Sequence, residues 1–138
     1  MSHWALKYIG QPWTPECNCY EWFRRITREQ FGRDLPPIGL PPDHLARRAA
    51  RIMSAAADSL FGYHPTAHPT EGDAVFLSSN GRTSHHIGMV IFPGRKMQVL
   101  HALDGLGVVV SDLPALRANG LSIQGFWTHE TTAQHKPA

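Results

Sequence analysis

Ser84-His85-His86-Ile87-Gly88-Met89-Val90-Ile91, then Phe92-Pro93-Gly94-Arg95, then Lys96-Met97-Gln98-Val99-Leu100-His101-Ala102-Leu103, is the stretch that commits the second half of the chain to β structure. Two β-rich runs separated by a Pro-Gly connector read as a hairpin. With Ile91 set opposite Lys96, His86 falls directly opposite His101. Directly opposed residues share one face with Cβ atoms about 4.5–5.5 Å apart, so one imidazole can fix the tautomer and tilt of the other. A slip of one residue would pair His86 with Ala102 and bring His85 to the face of His101, so the register decides which histidine does the chemistry.

Working outward, further short β-rich runs occur at Ala74 to Leu77, Val108 to Ser111 and Ser122 to Thr128, broken by Gly, Asn, Pro or Asp. Upstream the period changes. From Cys19 to Phe31 the residues Trp22, Phe23, Ile26 and Phe31 lie near one stripe, with Glu21 in the first turn and Arg24, Arg25 and Arg28 further on, an order that suits a helix dipole. Gly32 stops this helix. Asp43 is a good N-cap for a second helix, carried by Leu45, Ala49, Ile52, Met53, Ala56 and Leu60 and ending near Gly62. Helices first and strands afterwards predict an α+β domain, with N-terminal helices packed on a five- to six-stranded antiparallel sheet. The whole chain, 1–138, reads as one domain with a fraying tail over 130–138.

Composition narrows the function classes. The 138 residues are 42% hydrophobic, enough for one buried core. Thirteen basic residues against eleven acidic leave a net charge of +2, too even for a nucleic-acid protein, which needs a clustered positive face. The N-terminus lacks a basic run followed by an apolar stretch, and no run of apolar residues is long enough to span a bilayer, so neither a signal peptide nor a membrane span is expected. Most of the prolines fall in connectors, including Pro12, Pro15, Pro36, Pro37, Pro41, Pro42, Pro65 and Pro69. The two cysteines, Cys17 and Cys19, are too close to form an unstrained disulfide, so a free thiol is expected.

Cys19 falls in the first turn of the first helix, where unpaired N–H groups and the positive dipole end favour thiolate over thiol. Its own N–H could serve as an oxyanion donor. A cysteine there is also an ordinary small buried apolar residue, and two histidines on a hairpin are also ordinary core residues. What favours chemistry is the combination of the two features. A zinc site drawn from Cys17, Cys19, His85, His86 and His101 fits less well. A Cys-x-Cys gap is tighter than usual, and adjacent strand histidines point to opposite faces. No metal is expected.

Taken in order along the chain, several short motifs resemble the NlpC family of papain-like cell-wall peptidases, especially the short forms found in phage tails. Ile9-Gly10-Gln11-Pro12-Trp13 looks like the family's opening segment, and Asn18-Cys19-Tyr20-Glu21-Trp22-Phe23 looks like its nucleophile motif. Glu71-Gly72-Asp73-Ala74-Val75-Phe76 is similar to the Gly-Asp turn that begins the first barrel strand, while His86-Ile87-Gly88-Met89-Val90 and Leu100-His101-Ala102 look like the base and orienting motifs. The resemblance spans about residues 5–128.

The resemblance implies a papain-like fold with a half-barrel sheet, Cys19 as nucleophile, His86 as base, His101 as the residue that orients it, and no cofactor. The implied substrate is the peptide stem of peptidoglycan, typically cut between D-glutamate and a diamino acid. Many members carry Asp before the nucleophile and Ser-Gly or Trp-Gly after it, where this chain has Asn18, Tyr20 and Glu21. In some members that Asp helps hold the substrate's free amino group, so Asn18 bears on specificity. Tyr8, Trp13 and Tyr20 are candidates for the walls of the cleft. Such a protein would be made in the cytoplasm and act on the cell wall, as part of a virion tail alongside tail-tip proteins. A non-catalytic tail-tip component, a secreted antibacterial toxin of the same chemistry, and a related amidase type remain as rivals. The amidase type usually orients its histidine with Glu or Asn.

Overall fold

The computed structural model describes residues 3–37, 62–81 and 86–130. The expected second helix from Asp43, His85 and the residues of the tail beyond 130 lie outside the described residues. A 3-10 turn, Trp4–Tyr8, leads into helix α1, Cys19–Phe31. Six strands follow: β1 Tyr63–Thr66, β2 Ala74–Ser78, β3 His86–Ile91, β4 Gln98–Leu103, β5 Gly107–Ser111 and β6 Ser122–His129. A short helix, α2, Leu113–Ala118, connects the last two. The strands form one antiparallel sheet in the order β1-β6-β2-β3-β4-β5, so the architecture is α+β.

Helix α1 has the ends its sequence prescribes. The Asn18 side chain accepts a hydrogen bond from the Glu21 amide at 3.1 Å, and Gly32 closes the helix in the left-handed conformation, donating its amide to the Arg28 carbonyl. The buried stripe of Cys19, Tyr20, Trp22, Phe23 and Ile26 packs against β3 and β4.

The central strands are buried on both faces. Ala74, Phe76, Ile87, Met89, Ile91, Leu100 and Ala102 join the α1 cluster, whereas Val75, Leu77, Val90 and Val99 join Leu116 of α2 and Leu121 on the other face. This is the period-2 alternation of a sheet covered on both sides. Among the described residues no helix is long and apolar enough to cross a membrane.

Three features depart from the sequence reading. Strand β1 was not expected. It takes up Pro65 at the sheet edge, where a missing N–H breaks no ladder on the outer side. Helix α2 was not expected either; Asp112 caps it by accepting from the Ala115 amide, and Pro114 occupies its first turn. The third departure is the hairpin register. Ile91 pairs with Gln98, not Lys96, and Met89 with Leu100, a slip of two residues. The connector is longer than a Phe92–Arg95 loop because the 3-10 turn Pro93–Arg95 is followed by Lys96 and Met97 outside the strands. His86 is therefore not directly opposite His101. A slip of two preserves parity, so both still share one face.

The Gly-Asp turn before β2 has a clear structural job. Asp73 is buried and accepts from the Thr70 amide at 2.7 Å, the Thr70 hydroxyl at 3.2 Å and the Thr128 hydroxyl at 2.7 Å, tying the turn to β6.

Candidate active site

One end of the sheet gathers the two anticipated histidines. The β2–β3 ladder runs to Leu77–His86 and the β4–β5 ladder to Leu103–Gly107, but the β3–β4 ladder ends at Met89–Leu100. Strands β3 and β4 thus part company at the end where both histidines lie. Continuing the β3–β4 register sets His101 across from Gly88. A Cβ at Gly88 would stand 2.5 Å from Cγ1 of Val99 and 3.1 Å from the Cβ of His101, so the missing side chain leaves room for both neighbours.

Across this vacated position His86 Nε2 lies 2.8 Å from His101 Nδ1, and His101 Nε2 lies 2.8 Å from the Ser111 hydroxyl. Each link runs diagonally from one strand to the next, a span that direct neighbours do not need but an imidazole can bridge. Ser111 pairs in register with Val99, and His101 with Val109, which puts the hydroxyl on the same face as the histidines. His86, His101 and Ser111 are 7%, 3% and 3% exposed, so the row is a buried, hydrogen-bonded polar chain across three strands.

Burial sets the electrostatics. Desolvation pushes the His101 imidazolium down to about 4, so His101 is neutral at neutral pH. A neutral His101 holds one ring proton, leaving the other nitrogen to accept. It therefore accepts from a protonated His86 without repelling its charge.

Cys19 approaches from the α1 side, 2% exposed, within the cluster that contains Ile87. Its thiol is pushed up to about 11 by burial, while backbone hydrogen bonds from Ile87, Tyr20 and Cys19 itself act in the opposite direction. This corrects the expectation of a thiolate stabilised by the helix end: desolvation outweighs the amides. The Ile87 amide, one residue from His86, ties the sulfur to the strand end that the β3–β4 ladder leaves open. Alternation puts the sulfur on the α1 side and the imidazole row on the Leu77 side, with the parted strands between them.

The other anticipated site residues have interior partners. Tyr8 is buried and donates its hydroxyl to Glu29 at 2.6 Å. Tyr20 is buried and donates to the Pro36 carbonyl at 2.5 Å. Asn18 is the buried N-cap of α1. None of these three presents its side chain to solvent as a cleft wall would, because each is used in anchoring α1. Trp13 is half-buried against the α1 cluster, in a segment fixed by reciprocal backbone bonds of residues 10 and 11 with Val108 and by the Trp22 indole donating to the Pro12 carbonyl. Cys17 and Cys19 are both free thiols. Among the described residues no cluster of three His, Cys, Asp or Glu side chains is arranged to hold a metal ion.

Ser111 is the member of the row that sequence reasoning missed. Its only signal is a hydroxyl closing the run Gly107-Val108-Val109-Val110. An apolar recess of ≈ 250 Å³, lined by Leu6, Ile9, Ile91, Pro93 and Val110, lies at the opposite end of β3 and holds no nucleophile. A scan of protein-family models finds no match to this chain, and a search of curated proteins finds none either.

Proposed function

We propose that the chain is a papain-like cysteine endopeptidase that hydrolyses amide bonds in the peptide stems of peptidoglycan, with Cys19 as nucleophile, His86 as base and His101 orienting the base. The observation that carries this reading is the buried row from His86 through His101 to Ser111, at the strand end where the Ile87 amide meets the Cys19 thiol. The resemblance of the Asn18–Phe23, His86–Val90 and Leu100–Ala102 segments to cell-wall peptidases supplies the substrate class and the bond between D-glutamate and a diamino acid. It also supplies the setting, a phage tail acting on the wall.

The chemistry follows from the protonation states. Because Cys19 rests as a thiol on the α1 side and the imidazole row stands on the other face, the proton has to pass between the parted strands as attack proceeds: sulfur bonds to the amide carbon while His86 takes the proton on Nδ1. The His86 Nε2–H donates to His101 Nδ1 throughout. The N–H of Cys19 at the helix start steadies the oxyanion. Imidazolium then returns its proton to the leaving amine, and a water deprotonated by His86 releases the acyl group from sulfur.

A second reading has its own observation. Cys19 is almost wholly buried and its thiol is raised, which suits a non-catalytic component of a tail tip that retains the fold. A secreted antibacterial enzyme would share the first reading's chemistry and differ in its delivery. Digestion of purified peptidoglycan followed by mass spectrometry of the muropeptides tests the enzyme directly. Wild-type protein should release new amino termini, and Cys19→Ala should release none while remaining folded. Equal turnover by the variant would remove Cys19 from the mechanism, and an inert wild type that also resists iodoacetamide would favour the structural reading.

A further inference from the structure

The proposed mechanism assigns work to three residues, but the buried row contains a fourth group. Resting on that mechanism, we propose that Ser111 is a positioning residue, whose hydroxyl accepts the His101 Nε2 proton and so keeps His101 Nδ1 as the acceptor that aligns His86.

Two imidazole nitrogens 2.8 Å apart need one proton between them, so either His86 donates to His101 or the reverse. If His101 carried its proton on Nδ1, His86 Nε2 would have to be the acceptor. His86 would then hold its neutral-state proton on Nδ1, the nitrogen that must receive the thiol proton. The productive arrangement therefore requires His101 to be protonated on Nε2, and a buried Nε2–H requires an acceptor. Ser111 Oγ, at 2.8 Å, is that acceptor.

Position argues that this is more than packing. Ser111 closes the run Gly107-Val108-Val109-Val110 on β5 and is 3% exposed, a place where valine would satisfy a sheet interior without burying a hydroxyl. It lies diagonal to His101 through the register of Val99 with Ser111 and His101 with Val109, so its hydroxyl reaches the far nitrogen of the ring and not the one that meets His86.

The test compares Ser111→Thr with Ser111→Val, nearly the same shape with and without a hydroxyl. Nitrogen-15 NMR of the intact protein reads each histidine's tautomer, and muropeptide release reads turnover. Wild type and Ser111→Thr should show His101 protonated on Nε2. Ser111→Val should show a mixed or Nδ1-protonated His101 and a kcat lower by about tenfold, the size of one lost hydrogen bond, with KM little changed. A wild-type His101 protonated on Nδ1 would overturn the proposal whether or not any variant folds. So would a folded Ser111→Val that keeps both tautomer and turnover. Should wild type prove inactive on peptidoglycan, the peptidase reading fails alone, and the tautomer comparison still decides what Ser111 does to His101.

Discussion

Replacing Gly88 by alanine should damage the protein through one atom. The new Cβ would stand 2.5 Å from Val99 Cγ1, 3.1 Å from His101 Cβ and 3.3 Å from the Leu100 carbonyl oxygen. Val99 is 1% exposed and β-branched, so its methyl has no easy rotamer into which to retreat. His101 is held at both ring nitrogens. Overpacking of this kind costs about 1–3 kcal/mol, partly offset by the roughly 0.5–1 kcal/mol that alanine gains over glycine in a strand. The net loss should be about 1–2 kcal/mol, which for a chain of this size lowers the melting temperature by about 3–7 °C. Urea titration with two independent probes would measure it. The clash also predicts coupling: Val99→Ala removes the offending methyl, so Gly88→Ala should cost at least 1 kcal/mol less, by the order of the estimate, in that background. Additive behaviour within about 0.3 kcal/mol, or a Gly88→Ala protein as stable as wild type, would refute the idea that Gly88 makes room for its β4 neighbours.

Two further outcomes follow from the same contacts. Asn18→Ala removes the α1 cap and should cost about 1 kcal/mol in urea unfolding, while Asn18→Ser should recover most of it; equal losses would mean the side chain acts otherwise than by capping. His101, held near 4 when folded against an ordinary value near 6.5, takes up its proton more readily in the unfolded chain. Unfolding is therefore favoured as pH falls from about 6.5 towards 4, by a total on the order of 3 kcal/mol from this group. His101→Gln should flatten the fall in urea midpoint across that window, and an unchanged slope would show that His101 titrates normally.

Much of this arrangement could be read from the sequence because it rests on local signals. Helix α1 begins and ends where Asn18 and Gly32 place it, and the strands around His86 and His101 fall within a residue or two of the apolar runs. The hairpin register could not be read, since residues 92–97 leave the strands where a four-residue loop had been expected. The same-face relation of the two histidines survived because it depends only on parity. Ser111 was hidden for a related reason: its contact needs the β4–β5 register, which is set across the turn at residues 104–106. The state of Cys19 was misread for a different one. Capping and dipole are properties of a helix and can be seen in a sequence, but desolvation comes from whatever packs above it, here the cluster with Ile87 and Ala102. Tyr8 and Tyr20 show the same limit, as a tyrosine near a cysteine looks alike in sequence whether it lines a groove or ties down a helix.

The histidine row is an expensive thing for a sheet to contain. Burying two imidazoles and a hydroxyl forfeits their hydration, and the two hydrogen bonds between them return only about 0.5–1.5 kcal/mol each in net stability. Apolar residues of similar volume at these positions would hold the sheet equally well or better, as Val90 and Val99 already do on the same face. Stability alone therefore gives no reason for the row. The row also stands where the β3–β4 ladder ends, beside the Ile87 amide that bonds the Cys19 sulfur. An arrangement that costs stability, standing at the strand end whose Ile87 amide meets a helix-start thiol, is the physical ground on which proton transfer is proposed for this end of the sheet.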